Sequence, residues 1–190
     1  GLVLNLAEYR MYYYPEPAAG EPAKVHTYPM SIGRMDWETP LGRTQIVAMA
    51  KNPTWYPPQS IRDEHAADGD PLPSIVPPGP KNPLGTRALR LGIPSYLIHG
   101  TNRPAGVGMR VSHGCIRMFP EDVEFLFDRI RVKTGVRIID VPIKIGWDGE
   151  YIVAEAHQLL EVPQRLPEEI EKHIEILGAD VGLPDIESLS

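Results

Sequence analysis

Apolar and polar positions alternate in several short segments of the chain, a pattern that predicts β-strands. Residues 2–6 and 10–14 flank the connection Ala7-Glu8-Tyr9, which predicts an N-terminal hairpin. Apolar and β-branched residues predict further strands at 25–30, 44–50, 88–91, 96–99 and 136–141. Residues 144–153 predict a second hairpin that turns at Asp148-Gly149. Many short strands separated by Gly and Pro indicate a mainly β domain, sandwich-like or barrel-like.

One internal helix is predicted to begin at Pro120. Proline suits the first helical turn, and the acidic residues at 121, 122 and 124 favour the N-terminal end of a helix. Helical spacing then places four apolar residues on one face: Val123, Leu126, Phe127 and Ile130. A further helical pattern at 167–177 predicts a helical C-terminal extension over residues 158–190, which leaves residues 1–157 as the main domain.

The segment between Pro53 and Pro83 contains nine prolines and shows almost no periodicity. A long irregular segment in a compact domain is usually a lid, a binding loop or a disordered stretch. We therefore expect residues 53–85 to form a proline-rich loop near a cleft. Trp55 and Tyr56 at its start either line that cleft or anchor the loop on the core.

Composition and charge exclude several classes of protein. Hydrophobic residues make up 42% of the chain, which favours a folded domain over disorder. A net charge of −6 argues against a general nucleic-acid binder, because neutralising phosphates needs an excess of Lys and Arg. No apolar run approaches the ~18–20 residues that span a bilayer, so no membrane span is expected. The start shows no signal-peptide pattern, and we expect any signal peptide to have been removed or to lie upstream.

Cys115 is the only cysteine in the sequence, which excludes an internal disulfide. A lone cysteine is most often a small buried hydrophobic residue, but the neighbours of this one indicate chemistry. It lies in Ser112-His113-Gly114-Cys115-Ile116-Arg117, and His99-Gly100-Thr101 precedes that segment. An imidazole activates a thiol, and small residues let backbone N–H groups approach a substrate oxyanion. Zinc would need three or four ligands, and the other histidines are scattered, so we expect no metal site.

This segment resembles the signature of the L,D-transpeptidase (YkuD) family, in which a His precedes Ser/Thr-His-Gly-Cys, a hydrophobic residue and Asn or Arg. Residues 5–10 resemble the opening hairpin of that family, Thr39-Pro40-Leu41-Gly42 its TP.G turn, and residues 51–55 the entry to its loop. The resemblance implies that residues 1–157 form an L,D-transpeptidase catalytic domain. Arg117 occupies a position that is Asn in some members of the family. An Arg at this position resembles the Gram-negative periplasmic branch, which implies a periplasmic location.

The resemblance also implies roles for individual residues. Cys115 is the expected nucleophile, His99 the general base, and the carbonyl of Gly100 the group that holds the imidazole tautomer. Backbone N–H groups of His113, Gly114 and Cys115 are expected to form an oxyanion hole, with the His113 side chain orienting the loop. Four further residues are expected to contact substrate: Arg117, Ser112, Arg110 and Tyr96.

No acidic residue occurs between Asp70 and Glu121, a stretch that contains six basic residues: Lys81, Arg87, Arg90, Arg103, Arg110 and Arg117. Chance in a proline-rich stretch is one explanation. The other is an electropositive catalytic region, which would depress the pKa of Cys115 and attract carboxylates of the substrate. Arg117 would then either bind such a carboxylate or brace the loop.

The function that the resemblance implies is peptidoglycan L,D-transpeptidation, which requires no metal and no organic cofactor. Cys115 would attack the bond after the diamino acid at stem position three and form a thioester. An amine of another stem peptide, or a lysine of an outer-membrane lipoprotein, would then take the acyl group. Two alternatives stay open: a hydrolase of the same fold that uses water (an L,D-carboxypeptidase or a lipoprotein-releasing amidase), and a non-catalytic wall-binding module. The intact motif disfavours the second, because a binder needs no nucleophile.

Overall fold

The computed structural model describes residues 1–34, 37–149 and 151–157. One compact unit comprises Gly1–Ile139, and a second unit begins at Asp140. The sequence had placed the boundary between residues 157 and 158. The predicted second hairpin therefore belongs to the second unit, where β11 (Ile143–Asp148) pairs antiparallel with β12 (Tyr151–Ala156). The predicted helix at 167–177 lies outside the described residues.

The first unit is built mainly from strands, as the sequence predicts. Its strands are β1 (Leu2–Asn5), β2 (Arg10–Tyr13), β3 (His26–Pro29), β4 (Ile32–Gly33), β5 (Gly42–Lys51), β6 (Arg87–Leu91), β7 (Leu97–His99), β8 (Arg110–Ser112), β9 (Ile116–Arg117) and β10 (Gly135–Ile139). Its helices are α1 (Gln59–Ala67) and α2 (Pro120–Phe127), with a short 3-10 turn at Pro104–Gly106.

Eight of these strands form one sheet in the order β3-β2-β1-β10-β5-β6-β7-β9, curled into a half-barrel. The pairs β1–β10 and β7–β9 are parallel, and the other neighbours in this sheet are antiparallel. A separate parallel pair joins β4 to β8. The prediction of a mainly β, barrel-like domain is confirmed.

Alternation along the strands explains the core. Leu2 and Leu4 on β1 and Val136 and Ile138 on β10 point inward and are almost completely buried. On α2, Val123 and Leu126 are fully buried, whereas Phe127 and Ile130 are partly buried against the core and Ile130 lies beyond the helix end. Each of the fully buried side chains stabilises the fold by about 1.5–3 kcal/mol through removal of apolar surface from water.

The expectation of a single internal helix is wrong, because α1 lies inside the proline-rich segment. The sequence signal for α1 is weak, because Pro58 at the N-cap makes no side-chain capping hydrogen bond and Ile61 is the one buried residue of the helix. The segment is also more ordered than its composition suggests. The fully buried Asn82 donates its amide to the carbonyls of Pro53 (2.9 Å) and Val76 (3.2 Å), and Trp55 pairs with Val76. Tyr56 is exposed and does not anchor the loop.

The structure contains no helix, within the described ranges, that is both long and apolar enough to cross a membrane.

Candidate active site

Strand pairing brings the two sequence motifs together. In the parallel pair β7–β9, Ile98 lies opposite Ile116 and His99 opposite Arg117. Continuing this register by one residue places Cys115, which directly precedes β9, beside Leu97. The sheet therefore brings the thiol, at the start of β9, next to the strand that carries the imidazole, with His99 and Cys115 16 positions apart in the sequence.

His99 is held as a neutral base. Its side chain is 4% exposed, and its Nδ1 lies 2.6 Å from the carbonyl oxygen of Gly100. A carbonyl only accepts hydrogen bonds, so Nδ1 carries the proton and Nε2 has the free lone pair. Burial, and next the charge of Arg117, lower the pKa of His99 to about 4, against the opposing effect of the bond to Gly100. The imidazole is consequently uncharged at neutral pH.

The thiol of Cys115 is also neutral at rest. Burial raises its pKa above the ordinary value, and this effect exceeds the lowering by the Leu97 backbone and by Arg117. Desolvation of the thiolate thus outweighs the expected effect of the positive region: Arg117 does lower the pKa of Cys115, but the net shift is upward. The sulfur lies 3.7 Å from the carbonyl oxygen of Ser95, a residue with a left-handed backbone (φ 70°).

Hydrogen bonds to carbonyl oxygens hold the loop of residues 112–115. The Ser112 hydroxyl donates to the carbonyl of Cys115 at 2.5 Å, and the Thr39 hydroxyl donates to that of Gly114 at 3.0 Å. The backbone N–H of Arg34 donates to the carbonyl of Ser112 at 2.9 Å. In the described part of the chain, the backbone N–H groups of residues 113–115 donate no hydrogen bond. They are thus available as donors, as an oxyanion hole requires.

The His113 ring is bound by a carboxylate from α1. Its Nε2 lies 2.7 Å from Oε2 of Glu64, and Arg34 donates to Oε1 of the same carboxylate at 2.7 Å. These hydrogen bonds, that from Arg34 first, lower the pKa of Glu64, so the carboxylate is ionised and accepts. The Arg34 guanidinium also lies 3.1 Å from His113 Nε2, and since it can only donate, Nε2 cannot bond both groups. The shorter contact, to an ionised carboxylate that can only accept, assigns the proton to Nε2. Trp37 packs edge-on against this ring, with the centroids 5.4 Å apart.

The four residues expected to contact substrate all lie around this loop but differ in exposure. Arg117 is half-buried beside His99 and Cys115, and burial lowers its pKa. Ser112 is 1% exposed, and its hydroxyl is used within the loop. Arg110 donates from Nε to the carbonyl of Gly33 at 3.3 Å. Tyr96 donates to the carbonyl of Glu38 at 2.8 Å, and its ring lies so close to Gly114 (φ 93°) that a Cβ there would be 2.8 Å away.

The stretch without acidic residues is not free of acidic neighbours in space. Glu64 reaches His113, and Glu124 on α2 accepts from Thr86 at 2.5 Å and lies 3.8 Å from Arg87. Sequence reasoning missed the contacts of Arg34, Glu64 and Ser95, for which the sequence carries no signal. For Thr39 the sequence does carry a signal, since this residue begins the TP.G turn. No three His, Cys, Asp or Glu side chains among the described residues are arranged to hold a metal ion.

Comparison with known proteins identifies the family. The family model "L,D-transpeptidase catalytic domain" (YkuD) matches residues 1–141. The probable L,D-transpeptidase YbiS of Escherichia coli (strain K12) is 46% identical over 145 residues, which are 76% of this chain and 46% of that protein. The probable L,D-transpeptidase YcfS of the same organism is 41% identical over 183 residues, 93% of this chain and 54% of that protein. The chain thus spans about half the length of these relatives.

Solved structures agree on the fold. L,D-transpeptidase 3 from Mycobacterium tuberculosis, solved in complex with a faropenem-derived adduct, superimposes with a TM-score of 0.51 at 18% identity. The match covers 73% of this chain and 59% of that one. The family match over most of its length shows that the chain belongs to the L,D-transpeptidase (YkuD) family and that residues 1–141 correspond to its catalytic domain.

Proposed function

We propose that this domain is a periplasmic peptidoglycan L,D-transpeptidase that acts through Cys115. The observation that carries the proposal is the state of His99. It is buried, neutral, protonated on Nδ1 by its bond to Gly100, and located on the strand next to the one that Cys115 precedes. A base in this state accepts the proton of a neutral thiol. Membership of the family supplies the class of reaction.

In the first step, Nε2 of His99 takes the thiol proton while the sulfur attacks the carbonyl carbon of the diamino acid at stem position three. The tetrahedral oxyanion receives hydrogen bonds from the backbone N–H groups of residues 113–115. As the C–N bond to the terminal D-alanine breaks, the imidazolium returns its proton to the leaving amine. A thioester on Cys115 remains.

In the second step, an amine attacks the thioester carbonyl and gives its proton to His99. The C–S bond breaks, and the thiolate takes the proton back. The acceptors that we propose are the side-chain amine of another stem peptide or a lysine of an outer-membrane lipoprotein. Water in place of the amine would make the same residues a carboxypeptidase or an amidase.

Arg117 is proposed to act electrostatically at this site. Its half-buried guanidinium favours the thiolate over the thiol and the neutral over the charged imidazole. It also lies where a substrate carboxylate would gain from its charge. Arg110 and Tyr96 are proposed to shape the surface around the loop, and Ser112, whose hydroxyl is buried, to brace the loop instead of touching substrate.

Product analysis by mass spectrometry tests the proposal directly. With a disaccharide-tetrapeptide and an amine acceptor, the wild type should release D-alanine and yield a cross-linked or amine-exchanged product. Cys115→Ala should yield none, and His99→Gln should be slower by orders of magnitude. A tripeptide formed at the same rate with and without amine would establish hydrolysis instead. Turnover by folded Cys115→Ala would contradict the nucleophile.

A covalent probe gives an independent test. A carbapenem or faropenem presents a strained carbonyl to the thiol, and ring opening passes through the same kind of oxyanion as the natural reaction. Intact-protein mass spectrometry should show one added drug mass, located on Cys115 by peptide mapping and missing in Cys115→Ala. Because the sequence has one cysteine, the location is unambiguous.

A further inference from the structure

We propose that Thr39 is a positioning residue that sets the direction of the Cys115 N–H, one of the oxyanion-hole donors. This inference rests on the proposed function, because an oxyanion forms only if Cys115 attacks a carbonyl. Thr39 does not touch the reacting atoms. It acts through the peptide unit that joins Gly114 to Cys115.

The Thr39 hydroxyl bridges two backbones in a buried position. The side chain is 6% exposed, and its oxygen accepts from the N–H of Gly33 on β4 at 3.3 Å. The same oxygen donates to the carbonyl of Gly114 at 3.0 Å. A hydroxyl has a single proton, and Gly33 supplies the other bond, so the Thr39 proton is committed to the Gly114 oxygen.

Because the peptide unit is rigid, the hydrogen bond from Thr39 to the Gly114 oxygen also fixes the direction of the Cys115 N–H. A trans peptide unit is planar, and its C=O and N–H point in opposite directions. When Thr39 holds the Gly114 oxygen, the N–H of Cys115 must face away from the segment that includes Gly33 and Thr39. The Arg34 N–H holds the Ser112 oxygen in the same way, which turns the His113 N–H away from that segment. Two proposed donors are thereby directed to one side.

The Gly114–Cys115 peptide needs such a restraint more than its neighbours do. Gly114 has φ 93°, and glycine rotates between backbone conformations with little steric resistance. The contact with β4 is close, because a Cβ built on Gly33 would lie 2.9 Å from the Cα of Gly114. Without the hydroxyl, the buried Gly114 oxygen would lack its partner, and rotation of this peptide toward another donor would carry the Cys115 N–H with it.

The test compares two reactions of the same thiol. Acylation by a carbapenem passes through an oxyanion, whereas alkylation by iodoacetamide displaces iodide at a saturated carbon and forms none. The first variant is Thr39→Val, which keeps the branched shape of the side chain and removes the hydroxyl. The second is Thr39→Ser, which keeps a hydroxyl and removes the methyl group. Thr134→Val is the matched control, since that hydroxyl accepts a backbone N–H from Arg131 and has no bond to the loop of residues 112–115.

We expect Thr39→Val to slow acylation by roughly 10- to 100-fold, less than the ~10²–10³-fold loss when an oxyanion donor is removed outright. Alkylation should change by less than about twofold, because it forms no oxyanion for the loop to stabilise. Thr39→Ser and Thr134→Val should acylate at rates close to the wild type. Thr39→Ala removes the same hydroxyl without the branched shape and should give the same ratio of rates, so the test does not depend on one variant.

Three outcomes would overturn the inference. Equal losses in both reactions would mean that the hydroxyl only supports the fold, and wild-type acylation in Thr39→Val and Thr39→Ala would mean that it orients nothing. Failure of Thr39→Ser to restore acylation would exclude the hydroxyl as the cause. Failure of the proposed function is distinguishable, because the wild type itself would then form no adduct on Cys115.

Discussion

Arg117 lies within electrostatic reach of both His99 and Cys115. Its charge lowers the pKa of the imidazole and of the thiol, whereas burial lowers the first and raises the second. The resting site thus holds a neutral thiol and a neutral base, with a cation beside them that favours the thiolate once the proton has left. Arg110 is close in sequence but is not among the charges that shift the thiol.

Arg117→Gln should therefore raise the pKa of Cys115 and of His99 together. The thiol is followed by the rate of iodoacetamide alkylation against pH, and the imidazole by NMR titration. Arg110→Gln is the matched control, because it removes the same charge from the same region and should leave both curves in place. If the alkylation and titration curves of Arg117→Gln coincide with those of the wild type, Arg117 contributes to packing and has no electrostatic effect on Cys115 or His99.

His99 should make the stability of the domain depend on pH. Its pKa is about 4 in the folded protein and 6.5 for the unperturbed group, so between these values the unfolded chain binds more protons. The free energy of unfolding should fall as the pH drops from 6.5 to 4, by on the order of 3 kcal/mol from this group, and this contribution is fully present above pH 6.5. Urea unfolding at several pH values measures it, and His99→Gln should flatten the slope. Equal slopes of unfolding free energy against pH in the wild type and His99→Gln would contradict the assignment of this pH dependence to His99.

At the scale of elements, α1 connects the proline-rich segment to the loop of residues 112–115. Glu64 accepts from His113 and from Arg34, and both residues are close to the ends of short strands that would otherwise be weakly held. The pKa of Glu64 is lowered by these bonds, so its contribution is present above the ordinary carboxyl range and lost as the pH falls through the folded value.

Glu64→Gln should reduce turnover and carbapenem acylation by roughly 3- to 10-fold, because a partly exposed, charge-assisted bond to His113 is weakened. The melting temperature should change little. Asp63→Asn is the control, since Asp63 lies on the same helix and its one side-chain bond to a described residue is within that helix, from Gln59 at 2.6 Å. If the two variants behave alike, α1 has no part in orienting His113.

At the scale of the whole first unit, the strand that comes last in the sequence lies in the interior of the large sheet. β10 lies between β1 and β5, pairs parallel with the first and antiparallel with the second, and buries Val136 and Ile138. Strands that are distant in sequence therefore meet at the centre of the sheet. Their pairing requires closure of a long loop, so the sheet forms cooperatively.

A chain that ends at Thr134 should consequently not fold, whereas one that ends at Val141 should unfold cooperatively and accept a carbapenem on Cys115. Circular dichroism with urea titration and intact-protein mass spectrometry check both. The chain ending at Val141 contains the whole first compact unit and the whole family match. Loss of folding in that chain would show that the second unit is required.

Local pattern was sufficient to predict the N-terminal hairpin, most strands of the large sheet and α2. Each has a buried face with the period of its element, as Leu2 and Leu4 on β1 and Val123 and Leu126 on α2 illustrate. The strands β4, β8 and β9 were not predicted, since each has only two or three residues and none contains two neighbouring apolar residues, as the equally short β7 does with Leu97 and Ile98. Helix α1 was missed because it has one buried residue and no cap.

The sequence by itself determined which residues we propose to carry the chemistry, because Ser-His-Gly-Cys and an upstream His are recognisable from residue type and order alone. Only the tertiary structure decided their charge states and their supports. Burial raises the pKa of Cys115, against the expectation from nearby arginines. Glu64 reaches His113 across 49 residues, and Thr39 reaches Gly114 across 75. Desolvation and hydrogen bonds depend on distances in space, which the spacing of residues along a chain does not contain.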